Sequence, residues 1–235
     1  PSLTLNSFLF PERPMIRSGI LITLSVLSIA GICFTQKKLT SITGPSWNQE
    51  SMTYLPGQNR IENALLGFQS TVSHYLWIRT VLYFGSHYIT DRNFPWLVQM
   101  VDIITRLNPY FYPAYEFAGL MIPDLCRNPD ASRAILERGI FYLGDTRWNI
   151  AFYLGTIYYK YYDDPETAAQ YYALASRVPG ENSHKLAGLA SSYYRKSGKA
   201  QEGKNLLLFM YETSESPDVK KYLKDRLHKE YGVLQ

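Results

Sequence analysis

Ala151–Pro179 reads AFYLGTIYYKYYDDPETAAQYYALASRVP, and Leu186–Pro217 reads LAGLASSYYRKSGKAQEGKNLLLFMYETSESP. Aligned, the two stretches place small and large side chains in the same order. The first carries Leu154-Gly155-x-x-Tyr158, then Ala168-x-x-x-Tyr172-x-x-Ala175, then Pro179. The second carries Leu189-Ala190-x-x-Tyr193, then Gly203-x-x-x-Leu207-x-x-Met210, then Pro217. Gly155 to Ala190 is 35 residues, and so is Ala168 to Gly203. A fixed period of this size marks stacked helix pairs, because one pair cannot bury its apolar face alone. The expected fold class is all-α.

The pattern extends toward the N-terminus. Gly119 stands where Gly155 stands, 36 residues earlier, and Ser132, Leu136 and Gly139 match Ala168, Tyr172 and Ala175. Before that, Trp96-Leu97-Val98-x-x-Val101-x-x-Ile104, followed by Leu107-Asn108-Pro109, reads as the second helix of another unit. Its partner helix is expected within residues 68–88. There Leu65, Leu66, Phe68, Val72, Tyr75, Leu76, Ile78, Arg79 and Leu82 form a stripe at three-to-four spacing. Pro95, Pro129 and Pro165 each sit where a first helical turn tolerates a missing N–H. Ser216-Pro217-Asp218 reads as an N-cap, a first-turn proline and an acid that complements the helix dipole.

Over about residues 64–216 this arrangement resembles the tetratricopeptide repeat (TPR) family. Its inter-helix turn is one residue longer than the family pattern, and Ala151 stands at the family's tryptophan position. The resemblance implies a solenoid of three to four helix pairs over 63–216, with residues 217–235 as a capping helix. Val219, Leu223 and Leu227 would face the last repeat, with Lys220, Lys221, Lys224, Asp225, Arg226 and Lys229 in solvent. It also implies that the first helix of each pair lines a protein-binding groove. Carried over position by position, the groove candidates are Glu116 and Leu120, then Phe152, Thr156, Tyr159 and Lys160, then His184, Ser191, Tyr194 and Arg195. Tyr158 and Tyr193 match buried positions of the motif and are expected to pack between helices.

The N-terminal quarter has a different character. Ser18–Phe34 reads SGILITLSVLSIAGICF, 17 residues without a charge. As a helix it spans roughly 25 Å, just under a hydrocarbon core. Arg13 and Arg17 flank one side, Lys37 and Lys38 the other. The expectation is a tail over 1–17, a single transmembrane anchor over 18–36 and a linker over 37–62, with residues 18–34 in the lipid bilayer. A cleavable signal peptide and a buried core helix compete with that reading. The balanced flanking charges leave the positive-inside rule nearly silent. By analogy with anchored bacterial TPR proteins, the chain is expected to be a single-pass inner-membrane protein with a periplasmic repeat domain.

With 24 basic and 20 acidic residues the net charge is +4, and no dense basic stripe invites nucleic acid. His74, His87, His184 and His228 show no metal-ligand spacing, and Cys33 and Cys126 show no pairing. No phosphate-binding glycine loop or nucleophile elbow appears. Asp163-Asp164, followed by Pro165, reads as a helix start before it reads as a metal or acid–base pair. Catalytic residues, metal sites, cofactors and small-molecule substrates are therefore not expected. The expected function is a scaffold or accessory subunit of a membrane-associated protein complex. The alternative is a periplasmic assembly factor or chaperone for exported proteins. Hydrolase and redox roles form the opposing class.

Overall fold

The computed structural model describes residues 23–32, 34, 38 and 67–233. The chain divides into two compact units, Pro1–Leu55 and Pro56–Gln235. In the first, residues 23–32 are helical. Their apolar side chains are exposed, Leu24, Val26, Leu27, Ile29 and Ile32 among them, as is Phe34. The Ser28 hydroxyl donates to the Leu24 carbonyl at 2.9 Å, so its polarity is satisfied within the helix. Among the described residues no helix is long and apolar enough to cross a membrane. Residues 18–22 of the apolar run lie outside the described residues, as do the tail 1–17 and the linker 39–62.

The second unit is all helical among its described residues. Its helices are α1 (Gln69–Ile89), α2 (Leu97–Leu107), α3 (Tyr112–Leu125), α4 (Pro129–Leu143), α5 (Trp148–Tyr162), α6 (Pro165–Arg177), α7 (Ser183–Lys196), α8 (Ala200–Thr213) and α9 (Pro217–Tyr231). Consecutive helices pack along the whole series. First helices α3 and α5 also touch each other, as do α7 and α9, and second helices α2 and α4. That pattern is a stacked helical repeat of four pairs closed by α9. First helices begin at Tyr112, Trp148, Ser183 and Pro217, every 34 to 36 residues.

Local chemistry sets the helix ends. Pro129, Pro165 and Pro217 each open a helix, where no intrahelical N–H is needed. Asn128 caps α4 by accepting from the Ala131 N–H at 3.0 Å, and Asp164 caps α6 by accepting from Thr167 at 3.0 Å. Asp163 takes the left-handed φ of 50° that ends α5. The Asp163-Asp164 pair thus serves the turn. Ser216 occupies the N-cap of α9, but its hydroxyl makes no capping bond.

The pairs close where a small residue meets a large one. A Cβ on Gly155 would lie 2.8 Å from the Tyr172 ring and 3.0 Å from the Ala168 carbonyl, so α5 and α6 approach to backbone contact there. Gly203 brings α8 equally close to Ser191 of α7. The first traced copy departs from this register. Gly119 faces Tyr153 of α5, the next first helix, and the Ser132 hydroxyl bonds the Ala118 carbonyl of α3 at 2.8 Å. The α3–α4 contact therefore runs through Ala118, one residue before the glycine.

The core is continuous from α2 to α5 through Val101, Ile104, Ala114, Tyr115, Leu136 and Leu154. Arg138 ties α4 to α2, reaching Asp102 Oδ1 and Thr105 Oγ1, each at 2.7 Å. At the far end Leu223 and Leu227 of α9 are fully buried against Ala187 and Leu207. Arg226, expected on the solvated face of α9, is turned inward. It donates to Ser192 Oγ at 2.7 Å, to Tyr222 OH at 2.8 Å and to Glu230 at 2.7 Å, in room left by Gly188.

Candidate functional site

The ten groove candidates fall into four settings. On α5, Phe152 is half-buried beside Tyr172, with ring centroids 5.6 Å apart. The Thr156 hydroxyl lies 3.0 Å from the Phe152 carbonyl and 3.2 Å from Tyr172 OH. Both side chains therefore serve the α5–α6 contact. Tyr159, two turns along from Phe152, stays exposed and sets its ring edge-on to Tyr193 at 4.7 Å. Lys196 places its Nζ 5.1 Å from the Tyr159 ring and 4.7 Å from the Tyr193 ring. The result is a small aromatic surface that already holds one of the protein's own cations.

On α3, Glu116 accepts from Tyr112 OH at 2.9 Å, and Leu120, four residues on, is exposed. Lys160 leaves this surface. Its ammonium bonds both oxygens of Asp124 at 2.7 and 2.9 Å, joined by Tyr161 OH at 2.5 Å, and so braces α5 on the end of α3. Those bonds hold the Asp124 carboxyl below its ordinary pKa.

On α7, Ser191 is fully buried beneath α9, with its hydroxyl 2.7 Å from Tyr231 OH and 3.2 Å from Glu230. Arg195 pairs with Glu230 at 3.6 Å. These two residues fasten the cap. His184 meets Tyr222 edge-on at 5.1 Å, and burial lowers its pKa, favouring the neutral ring.

His184 and Tyr194 also line a cavity of about 1090 Å³, which Phe152 and Tyr159 do not line. It opens between second helices α6 and α8 over α7. Ala173, Leu206, Phe209 and Met210 supply apolar walls, and Arg177 and Glu202 add charge. Phe209 is 58% exposed, large for a phenylalanine in a helix that packs on two neighbours. Of the ten first-helix candidates, His184 and Tyr194 reach this groove, while its α6 and α8 walls lie outside the candidate positions. The available signal was Leu206-Leu207-Leu208-Phe209-Met210, five apolar residues in a row on a helix that needs only one buried face.

Among the described residues no group of three His, Cys, Asp or Glu side chains could hold a metal ion. Cys126 is half-buried, and burial pushes its thiol pKa up, away from the reactive thiolate. No family model, curated protein or solved structure matches the chain.

Proposed function

We propose that this chain is a membrane-anchored scaffold of tetratricopeptide type. It would be a non-enzymatic subunit that holds or assembles a membrane-associated protein complex through its repeat surface. The observation that carries the reading is the open apolar groove between α6 and α8, with Phe209 on its wall. Aromatic side chains beside partly apolar pockets are the usual anchors of protein interfaces. Residues 18–34 serve as the bilayer anchor in this proposal, supported by the uncharged run and its uniformly exposed helical portion. The repeat domain is placed in the periplasm by analogy with anchored bacterial repeat proteins.

The test is extraction of the full chain from its native membranes in mild detergent, with parent, Phe209→Ala and Tyr159→Ala compared. The expected outcome is a stoichiometric companion that survives high salt with the parent and is depleted at least several-fold by Phe209→Ala. Depletion by Tyr159→Ala instead would move the working surface to α5 and α7. A parent that elutes alone, without a stoichiometric companion, would sink the subunit reading. The assembly-factor reading is favoured by the same open groove, which can exchange clients. It predicts companions that are sub-stoichiometric and lost in high salt.

A further inference from the structure

The two ends of the helix stack are finished differently. The outer side of α9 is charged, with Lys221, Lys224, Asp225 and Lys229 exposed. That is the polar finish a terminal repeat needs in water. α1, at the other end, buries Ser73 and Thr80 and packs Trp77 and Phe84 against Phe111, Phe117 and Phe94. Its opposite side carries Tyr75, Ile78, Leu82 and Ile89, exposed by 56, 58, 57 and 81%. With Thr71 and Gly85 these positions follow three-to-four spacing over five turns. The helix thus has an exposed apolar stripe in addition to its covered aromatic side.

The chemistry of the stripe selects what surrounds it. No Asp or Glu occurs from Asn63 to Thr90, and the basic residue within α1 is Arg79, which donates to Tyr75 OH at 3.2 Å. Arg92, just past the helix, lies 5.5 Å over the Tyr88 ring. The nearest carboxylate, Asp91, lies past the helix end and is paired with His87 at 2.7 Å. Exposed tyrosines and branched aliphatics with arginines beside them suit the boundary between acyl chains and anionic headgroups. A second copy of the chain fits less well. A face about 31 Å long and 10 Å wide offers roughly 300 Å², against the roughly 800 Å² per partner of a stable interface. Under the proposed anchoring through residues 18–34 the bilayer needs no such area, because the chain is already attached to it. Thirty-two residues separate Phe34 from Gly67. At full extension they reach at most about 110 Å.

We infer that the outer face of α1 is a lipid-binding surface, with Tyr75, Ile78, Leu82 and Ile89 inserted at the bilayer interface. The tether argument rests on the proposed anchoring through residues 18–34; the composition of the face does not. α1 then lies along the membrane and the repeat stack leads away from it, ending in the charged α9. The anchor fixes where the protein is, and α1 fixes how the repeats are oriented.

The test uses the full chain, with Cys33 and Cys126 replaced by alanine, in vesicles of phosphatidylcholine with one quarter phosphatidylglycerol. Single nitroxide labels are placed by Leu82→Cys, Leu27→Cys and Lys221→Cys. All three positions are exposed, so folding is retained and circular dichroism checks it. Collision with oxygen reports lipid, and collision with a water-soluble nickel chelate reports water. The label at 82 should favour oxygen several-fold relative to the label at 221. Equal nickel access at 82 and 221 overturns the inference. Shielding of 82 from both reagents also overturns it, because a protein surface then covers the face. The label at 27 reads the anchor separately. Lipid at 27 with water at 82 removes only this inference. Water at 27 with lipid at 82 removes the anchor and upholds the α1 surface.

Discussion

Gly155 and Gly85 both lie inside helices, and the structure predicts opposite outcomes when each gains one methyl group. A Cβ on Gly85 would meet nothing within 4 Å. Gly85→Ala should therefore gain the helix propensity that glycine lacks, about 0.8–1 kcal/mol. The same gain applies at Gly155, but there the new methyl meets Tyr172 at 2.8 Å and the Ala168 carbonyl at 3.0 Å. Neither can move freely. Ala168 is fully buried backbone, and the Tyr172 ring is 3% exposed and wedged between Phe152 and Tyr193. Overpacking of this kind costs about 1–3 kcal/mol. Taking about 2, Gly155→Ala should be destabilised by a net of about 1 kcal/mol. In a domain of this size that lowers the melting midpoint by about 2–4 °C, while Gly85→Ala raises it by a similar amount. The assay is thermal unfolding of the full chain in mild detergent, followed by far-ultraviolet circular dichroism. Gly155→Leu should fall well below both. If the two alanine variants rise together, backbone contact between α5 and α6 at Gly155 is wrong, and the period read from the sequence does not pair these helices.

Two further substitutions test particular hydrogen bonds. Tyr115 is fully buried and its hydroxyl has no hydrogen-bond partner among the described residues; burial pushes its pKa up to about 12. Tyr115→Phe should leave the melting midpoint unchanged or raise it by the equivalent of about 1 kcal/mol, and a clear loss would mean the hydroxyl is satisfied. Asp164 caps α6, and its bonds from Thr167 hold the carboxyl below its ordinary pKa. A depressed carboxyl contributes stability above its unfolded pKa, near 3.9, and loses it as pH falls through the lower folded value. Asp164→Ala should cost about 1 kcal/mol at neutral pH, with a gap to the parent that narrows below about pH 4; a gap independent of pH would refute the capping role.

The helix pairs were legible because their signals are local. Prolines at 129, 165 and 217 and the Asp163-Asp164 turn act within one turn, so spacing alone locates those helix starts. Gly155, Ala168 and Tyr172 are legible for a related reason, since one pair contact repeats every 35 residues. Gly119 shows where that logic stops. It sits at the same sequence distance from Ser132 as Gly155 does from Ala168. Yet Tyr153 of the next pair takes the space above it, and the α3–α4 contact shifts to Ala118. Which neighbour claims a small residue is decided by side chains one repeat away. Arg226 was hidden for the same reason: a charge among charges on α9, it turns inward because Gly188, 38 residues earlier, leaves a hole of its size.

The candidate site was less legible than the fold because a binding groove depends on what fails to pack. Phe152, Thr156 and Ser191 were expected to line the groove by their positions on first helices, yet their side chains are engaged within the stack. Tyr193 and Tyr194 separate the two outcomes on one helix. Tyr193 closes on Tyr159 and Tyr172, as its motif position requires. Tyr194, one residue on and turned about 100° around the helix, faces the opening between α6 and α8. At the other end of the stack Leu76 and Trp77 pack on the core while Tyr75 and Ile78, their immediate neighbours, are exposed. A stripe of mixed apolar residues from 65 to 82 cannot tell those two sides apart. Only the packing of the neighbouring helices does so: Phe117 of α3 covers Trp77 and Phe84, and Ile78 and Leu82 on the other side of α1 stay exposed.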